Sequence, residues 1–184
     1  LAVAVLPKGA VSKFILNSWE ELKELHKIDY VFLNSSAPHI TLLAGIDDSF
    51  KESLIQIIKN ISQNTNSFEI YTKGFGMLLL DSPLLYLRWE ESISLHNLRK
   101  NILKKIEDNG MISRNSRLNN DWMTKTTICY KDLKYDKNLL KAIKKIKSDF
   151  KTEMNCIVDN LAIINYSQDE KKKEKTIFEI KLAK

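Results

Sequence analysis

The chain has 184 residues, 43% hydrophobic and 28% charged, with a formal net charge of +6, five glycines, three prolines and two cysteines. This composition predicts a protein with its own core. It excludes collagen-like and low-complexity classes, a disulfide framework, and a membrane-spanning helix, for which the longest apolar runs fall far short of ~20 residues. The positive surplus favours anionic partners such as phosphate, nucleotides or RNA, and we expect a soluble, cytoplasmic protein.

The first half of the chain predicts two strands and two helices. Residues 1–6 form an aliphatic run stopped by a proline, which is typical of a strand. The sequence Ser18–Glu21 fits a capping box and predicts the start of a helix. Residues 39–44 predict a short buried strand. Apolar residues at helical spacing over 50–61 predict a second helix, capped by the polar cluster Asp47–Ser49.

The second half of the chain predicts an extended segment at 68–72, a hairpin of 77–80 with 84–88 around Asp81-Ser82-Pro83, and a helix at 95–106 that ends at Asn109-Gly110. A strand at 124–130, a helix with apolar residues over 139–150 that begins at Asp136, and two closing strands at 161–164 and 176–182 follow. A lysine-rich loop joins the closing strands. No Pro/Gly/Ser-rich linker interrupts the series, so we expect one domain over residues 1–184. Frequent hairpins favour an α+β fold with helices on antiparallel sheets.

One short motif combines groups suited to phosphate chemistry. In Pro38-His39-Ile40-Thr41-Leu42, side chains two positions apart share a face of the strand, so His39 and Thr41 point the same way. Histidine exchanges a proton near neutral pH, and a threonine hydroxyl can donate a hydrogen bond to a phosphate oxygen. An HxT triplet also occurs by chance, with the histidine simply at the rim of a sheet.

A related motif follows in the second half of the chain. Lys125-Thr126-Thr127-Ile128 lies on a predicted strand that leads into a helix, so Lys125 and Thr127 share a face in the same way. The glycines form neither a GxGxxG nor a GxxxxGK[ST] loop, and the three histidines are too dispersed for a recognisable metal site.

With these two motifs the sequence resembles the 2H phosphoesterase superfamily, which comprises LigT-like proteins, including 2'-5' RNA ligases and cyclic nucleotide phosphodiesterases. Its members carry two HxT motifs, one in each of two pseudo-symmetric lobes, facing each other across a cleft lined by antiparallel sheets with helices outside. The resemblance covers nearly the whole chain. It includes the Pro38–Leu42 motif, the segment Gly74-Phe75-Gly76, the helix that contains Leu95–Leu98, and Trp122 before the second motif.

The resemblance implies catalysis by His39 and phosphate binding by Thr41 and Thr127. Lys125 takes the place of the second histidine and departs from the family pattern. In the family one histidine acts as a base while the other protonates the departing oxygen. A lysine with an ordinary pKa stays cationic; it can stabilise negative charge, but it needs a lowered pKa to act as an acid.

Three interpretations remain open. The chain is a phosphodiesterase in which His39 transfers protons and Lys125 is an electrostatic clamp or an unusual acid. Alternatively, catalysis is impaired and the cleft binds a nucleotide or RNA end without turning it over. In the third interpretation the motifs are coincidental and the protein is structural. For the enzyme, the resemblance implies a 2',3'-cyclic, 2'-5' or cyclic-oligonucleotide phosphodiester as substrate. We expect no metal or other cofactor, because imidazole, hydroxyl and ammonium groups suffice, and we expect a monomer without a membrane partner.

Several other residues have both a functional and a simpler interpretation. Aromatic side chains can stack on nucleobases, but core packing is the simpler explanation of each. Cys129 is expected on the same face as Lys125 and Thr127, as a buried, inert thiol. His96 is expected on the flank of a helix. Arginines and aromatic residues considered as contacts to a nucleotide are Arg88, Arg114, Arg117, Phe75, Trp89, Trp122, Tyr130 and Tyr166.

Overall fold

The structure is a computed structural model of the chain. It describes residues 1–79, 81, 83–111, 122–130, 137–150, 153–165 and 175–184. Several predictions lie outside this part of the chain. They concern Ser82 in the hairpin turn, Arg114, Arg117, the helix start at Asp136, Tyr166 and the lysine-rich loop before the last strand.

Strands and helices alternate along the described residues. The strands are β1 (Ala2–Val5), β2 (Ile40–Ala44), β3 (Phe68–Leu78), β4 (Leu84–Trp89), β5 (Lys125–Cys129), β6 (Asn155–Val158), β7 (Asn160–Asn165) and β8 (Lys175–Lys181). The helices are α1 (Gly9–His26), α2 (Tyr30–Asn34), α3 (Lys51–Gln63), α4 (Ile93–Asp108) and α5 (Lys137–Asp149), with a 3-10 turn at Asp48–Phe50. No helix in the described ranges is both long and apolar enough to cross a bilayer.

The strands form two four-stranded sheets, and every strand pair within them is antiparallel. The strand order is β2-β1-β7-β8 in the first sheet and β5-β4-β3-β6 in the second. Each half of the chain contributes to both sheets, because β3 joins the second sheet while β7 and β8 return to the first. The prediction of an α+β fold with antiparallel sheets is confirmed.

The helices pack on the outside of the sheets and define two lobes. Helices α3 and α4 contact the first sheet, whereas α1 contacts the second sheet and α5 packs against α1. Apart from the short helix α2, the order β1-α1-β2-α3 over residues 2–63 matches β4-α4-β5-α5 over residues 84–149. The lobes are therefore pseudo-symmetric, and the two sheets line the cleft between them.

Burial explains why the central strands of the first sheet are almost purely apolar. All four residues of β1 are buried, as are the first five residues of β7. A strand covered on both faces has no position for a solvated side chain and becomes a continuous apolar run. This is the pattern of the predicted strands at residues 1–6 and 161–164.

Two predicted helix boundaries are confirmed. The side chain of Asp47 accepts a hydrogen bond of 3.0 Å from the backbone amide of Ser49, at the turn that leads into α3. Helix α4 ends at Asp108, and Gly110 then has a positive φ of 68°. A residue without a Cβ adopts this left-handed conformation without strain, which explains the glycine after the helix.

The predicted start of the first helix is wrong. Helix α1 begins at Gly9, and Ser18 lies in its interior, where its hydroxyl donates a 2.8 Å hydrogen bond to the carbonyl of Phe14. The apolar stripe that packs against the protein begins with Val11 and Ile15, before the capping-box sequence. Tertiary burial of this stripe extends the helix, and the serine bonds back along it instead of capping it.

Three further differences concern the second sheet and its surroundings. The predicted segments 68–72 and 77–80 belong to one continuous strand, β3, which pairs with β6 over its first half and with β4 over its second. The pairing register shifts between Thr72 and Phe75, and Gly74 in that interval has φ 81°. Strand β6 and helix α2 were not predicted, because both are short and lack a periodic apolar pattern.

Gly76 of β3 allows a close approach of Tyr86 on β4, to which it is paired. A Cβ on Gly76 would overlap the Tyr86 ring at Cζ, Cε2 and the hydroxyl oxygen. We expect Gly76→Ala to lower the free energy of unfolding, measured by urea denaturation, by about 1–3 kcal/mol because of overpacking. In a Tyr86→Leu background the same substitution should cost much less. An equal cost in both backgrounds would contradict the steric explanation.

Candidate active site

The two predicted motifs lie on strands that meet between the lobes. Strand β2, which follows His39 directly, is at one edge of the first sheet, and β5, which begins at Lys125, is at one edge of the second sheet. The two edge strands contact each other. The fold therefore brings together motifs that are 86 residues apart in the sequence, as the predicted cleft requires.

The motifs also match in their pattern of burial. His39 and Thr41 are half-buried while Ile40 is buried, and Lys125 and Thr127 are half-buried while Thr126 is buried. Thr126 faces the core, where its hydroxyl receives a 3.0 Å hydrogen bond from the indole N–H of Trp89. The four predicted site side chains thus alternate with core residues and lie on the partly exposed faces of their strands.

A β-bulge follows each motif threonine. Ala4 pairs with Thr41 and Val3 with Leu43, so Leu42 is an extra residue in β2. In β5, Tyr86 pairs with Thr127 and Leu85 with Cys129, so Ile128 is the corresponding extra residue. A bulge bends its strand and changes which way the next side chains point.

The second bulge corrects the prediction for Cys129. Strict alternation predicts that Cys129 shares a face with Lys125 and Thr127, but Cys129 pairs with Leu85, which belongs to the core, whereas Thr127 pairs with Tyr86. Cys129 is 1% exposed and packs in the core. Its predicted burial is confirmed, while its predicted place on the site face is wrong.

His39 is held in a defined orientation by its own loop. Its Nδ1 lies 3.0 Å from the carbonyl oxygen of Ala37. A carbonyl can only accept a hydrogen bond, so the neutral ring carries its proton on Nδ1 and its lone pair on Nε2. Nε2 is therefore the atom that can accept a proton.

The pKa of His39 is lowered from its usual range. Burial of the ring is the main cause; the hydrogen bond to Ala37 opposes it, and the positive charge of Lys125 adds to it. The effect of Lys125 on the imidazole agrees with the contact between strands β2 and β5. Burial and this positive charge both favour the neutral form of the His39 ring.

Lys125 is half-buried, and burial lowers the pKa of its ammonium group. Desolvation disfavours the charged form, so Lys125 releases its proton more readily than a lysine in water. No carboxylate forms an ion pair with it among the residues that the structure describes. Lys125 is thus a recessed cation whose charge acts on the site.

Two tryptophans fix the backbone of the motifs by hydrogen bonds between the halves of the chain. The indole N–H of Trp122, which precedes β5, donates to the carbonyl of Thr41 at 2.9 Å. The indole N–H of Trp19 on α1 donates to the carbonyl of Thr127 at 3.2 Å. Each motif threonine is therefore held by a tryptophan from the other half. The sequence indicated Trp122 as part of the family resemblance and as a candidate stacking residue, and it gave no sign of a role for Trp19 in the site.

Helix α4 supports the first of these contacts. Arg99 is buried, donates a 3.0 Å hydrogen bond from Nε to the carbonyl of Leu42, and places its guanidinium 4.9 Å from the centre of the Trp122 ring. The His96 ring packs edge-on against Trp122, with 5.4 Å between the ring centres. His96 thus lies on the flank of its helix, as predicted, and packs against the tryptophan that donates to the carbonyl of Thr41.

The remaining described aromatic candidates pack in the core or against it. Trp89 is 1% exposed, and Phe75 packs against Phe14 and Phe150, so the simpler explanation of both is confirmed. Tyr130, just after β5, packs edge-on against Tyr30 of α2.

Within the described part of the chain, no group of three or more histidine, cysteine, aspartate or glutamate side chains is placed to bind a metal ion.

This arrangement of motifs agrees with a comparison of the chain with known protein families. The family model of the 2'-5' RNA ligase superfamily matches residues 11–170. The chain belongs to the 2'-5' RNA ligase superfamily. The resemblance to 2H phosphoesterases is thereby confirmed. No curated protein matches the chain significantly.

Solved structures share the fold of this superfamily member at low sequence identity. The Thermus thermophilus protein TT0787 has a TM-score of 0.66 at 10% identity, over 98% of this chain and 96% of that chain. E. coli LigT in its apo form has a TM-score of 0.61 at 11% identity, over 100% and 96%. LigT in complex with 3'-AMP has a TM-score of 0.60 at 13% identity, over 100% and 97%. These similarities support the LigT-like fold.

Burial of the charged Lys125 ammonium group is expected to lower the free energy of unfolding. We expect Lys125→Gln to raise the free energy of unfolding in phosphate-free buffer by about 0.5–2 kcal/mol, a typical gain when a residue kept for function is neutralised. Lys100→Gln on the exposed face of α4 removes an equal charge and should have little effect. Chemical denaturation measures both. A loss of stability in Lys125→Gln would show that the lysine has a structural role.

Proposed function

We propose that the protein is a 2H-type phosphodiesterase that cleaves a 2',3'-cyclic, 2'-5' or cyclic-oligonucleotide phosphodiester by acid–base chemistry at His39 and Lys125. The observation that carries the proposal is the pair of matching motif faces on contacting edge strands, with the Lys125 charge acting on the His39 ring. Neutral imidazole, two hydroxyls and an ammonium group suffice for this chemistry. The proposal retains the expectation of a cytoplasmic monomer without a metal or cofactor.

A nucleotide is the proposed ligand for two reasons. E. coli LigT, which shares the fold, has been crystallised with 3'-AMP and with NADP+. The chain also has a net charge of +6, and the site contains a cation without a carboxylate partner among the described residues. An anionic phosphodiester fits such a site better than a neutral substrate does.

The lowered pKa values suggest a division of roles between the two groups. His39 is neutral near pH 7 and can take a proton at Nε2, whereas Lys125 keeps its proton and can give it up more easily than an ordinary lysine. General acid–base catalysis needs this combination of a neutral base and a protonated acid. The sequence alone left open which step His39 performs; the electrostatics favour the base.

For a 2',3'-cyclic phosphate the proposed reaction is as follows. Nε2 of His39 takes a proton from water while the water oxygen forms a bond to phosphorus. The bond between phosphorus and one ribose oxygen breaks, and that oxygen receives a proton from Lys125. The products are a nucleoside monophosphate, protonated His39 and neutral Lys125, and the two side chains return to their starting states by proton exchange with solvent. Thr41 and Thr127 donate hydrogen bonds to the phosphate oxygens.

The alternative function is nucleotide or RNA-end binding without turnover. It is favoured by the replacement of a histidine by Lys125, since an ammonium group is a poorer acid near pH 7 than an imidazolium. Both functions use the same side chains and the same ligand class. They differ only in whether the bound phosphodiester is cleaved.

Substitutions at the two groups test the catalytic proposal. With adenosine 2',3'-cyclic phosphate as substrate, we expect His39→Asn to lower kcat by about 10²–10⁴, the usual contribution of a general base. Lys125→Arg keeps the charge but cannot release a proton, so it should preserve KM and lower kcat. Lys100→Gln is the control for a change of charge outside the site. Steady-state kinetics, followed by product chromatography, gives kcat and KM for each variant.

The outcome for Lys125→His separates the two functions. If the wild-type chain binds the nucleotide without forming product and Lys125→His gains turnover, the protein is the binding module and the catalytic proposal fails. Retention of wild-type kcat in Lys125→Arg would show that Lys125 is only an electrostatic clamp, because proton donation from position 125 would then be unnecessary.

The pH dependence gives an independent check on the roles. Since the base must be neutral, kcat/KM should fall as the pH drops below the pKa of His39, which lies below 6.5. Since the acid must be protonated, kcat/KM should fall as the pH rises above the pKa of Lys125, which lies below 10.5. In Lys125→Gln the acidic limb should move to higher pH, because the charge that lowers the pKa of His39 is gone. If the acidic limb of the kcat/KM profile stays at the same pH in Lys125→Gln, the charge of Lys125 does not act on His39.

A further inference from the structure

A second cation stands next to Lys125 on the neighbouring strand. Arg88 of β4 is directly paired with Lys125 of β5 in the antiparallel register. Directly opposed residues of an antiparallel pair have Cβ atoms about 4.5–5.5 Å apart and project to the same side of the sheet. The guanidinium of Arg88 and the ammonium of Lys125 therefore start from adjacent positions on one face.

That face is the one turned away from the core of the second lobe. Along β4, Leu85, Leu87 and Trp89 belong to the hydrophobic core, whereas Tyr86 and Arg88 alternate with them on the opposite face. Tyr86 is paired with the motif residue Thr127. Arg88 is exposed. Thr127, Lys125 and Arg88 thus share one face of the second sheet, on which Tyr86 is 7% exposed and Arg88 is exposed.

Two cations side by side offer a bound anion two sources of positive charge. No carboxylate of the described residues is ion-paired with Arg88 or Lys125. The next lysine along this sheet, Lys73 of β3, has its own partner in Glu153 at 2.9 Å. Within the described part of the chain, the positive charge of Arg88 and Lys125 is therefore available to an anionic ligand.

We infer that Arg88 binds a second phosphate of the substrate, beside the phosphate held by His39, Thr41, Lys125 and Thr127. This inference rests on the proposed function, in which those four side chains account for one phosphate. It assigns a substrate class: nucleotides that carry, besides the phosphate at the 2' or 3' position, another phosphate on the 5' side of the same nucleoside. A cyclic mononucleotide without a 5'-phosphate lacks a group for Arg88.

Binding measurements with two ligands that differ by one phosphate test the inference. Adenosine 3'-phosphate and adenosine 3',5'-bisphosphate contain no phosphodiester, so cleavage does not interfere with calorimetry. We expect the wild-type chain to bind the bisphosphate at least tenfold more tightly than the monophosphate. Arg88→Gln should remove most of that advantage, Arg88→Lys should retain part of it, and Lys100→Gln should retain all of it.

The dinucleotide ApAp identifies the source of the second phosphate, because its 5'-side phosphate is a backbone diester. Tight binding of ApAp indicates an RNA end, whereas preference for the bisphosphate alone indicates a terminal 5'-phosphate. Either result supports the inference. It is overturned if the wild-type chain shows no preference for the bisphosphate, or if Arg88→Gln weakens binding of both adenosine ligands by the same factor.

Failure of the inference is distinguishable from failure of the proposed function. In both overturning results the wild-type chain still binds adenosine 3'-phosphate, so a nucleotide site remains and only the role of Arg88 is lost. If the wild-type chain binds none of the three ligands, the proposed function and the inference fail together. Thermal melting of Arg88→Gln checks that the exposed substitution leaves the fold intact.

Discussion

The proposed chemistry depends on one electrostatic interaction, that between the Lys125 ammonium group and the His39 ring. Both groups are recessed, which lowers both pKa values, and the charge of the lysine lowers that of the histidine further. A neutral imidazole beside a protonated amine is the combination that proton transfer across a phosphate requires. The substitution of lysine in the second motif thus need not remove acid–base chemistry, provided that the two groups remain close.

The backbone around the motifs is built to keep them close. Both motif strands are at sheet edges, and both contain a bulge after the threonine, so some of their carbonyls lack regular ladder partners. Indole N–H groups satisfy the carbonyls of Thr41 and Thr127, and each comes from the other half of the chain. A buried polar group without a hydrogen-bond partner lowers the stability of the fold. The two indole hydrogen bonds remove this penalty, and they also connect the two halves of the chain.

The fold was predictable where apolar patterns are long and regular. Helices α3 and α4 and the shared face of His39 and Thr41 follow from periodicity, and the antiparallel α+β architecture follows from the hairpin signals. The start of α1 was not predicted, because the capping signature at Ser18 is a local signal and burial of the preceding apolar stripe overrides it. Cys129 was misplaced because a bulge cancels the alternation on which the prediction relied, and no residue type in β5 marks that bulge.

The sequence by itself determined which chemical groups are available: a histidine and a lysine, each two positions before a threonine, on strands with an apolar opposite face. Tertiary structure decided which of those groups become neighbours. Only the packing of β2 against β5 places the Lys125 charge on His39, and only the register of β4 against β5 puts Arg88 beside Lys125. The physical reason is that side-chain alternation is a local property of a strand, whereas the distance between charges depends on which strands become neighbours.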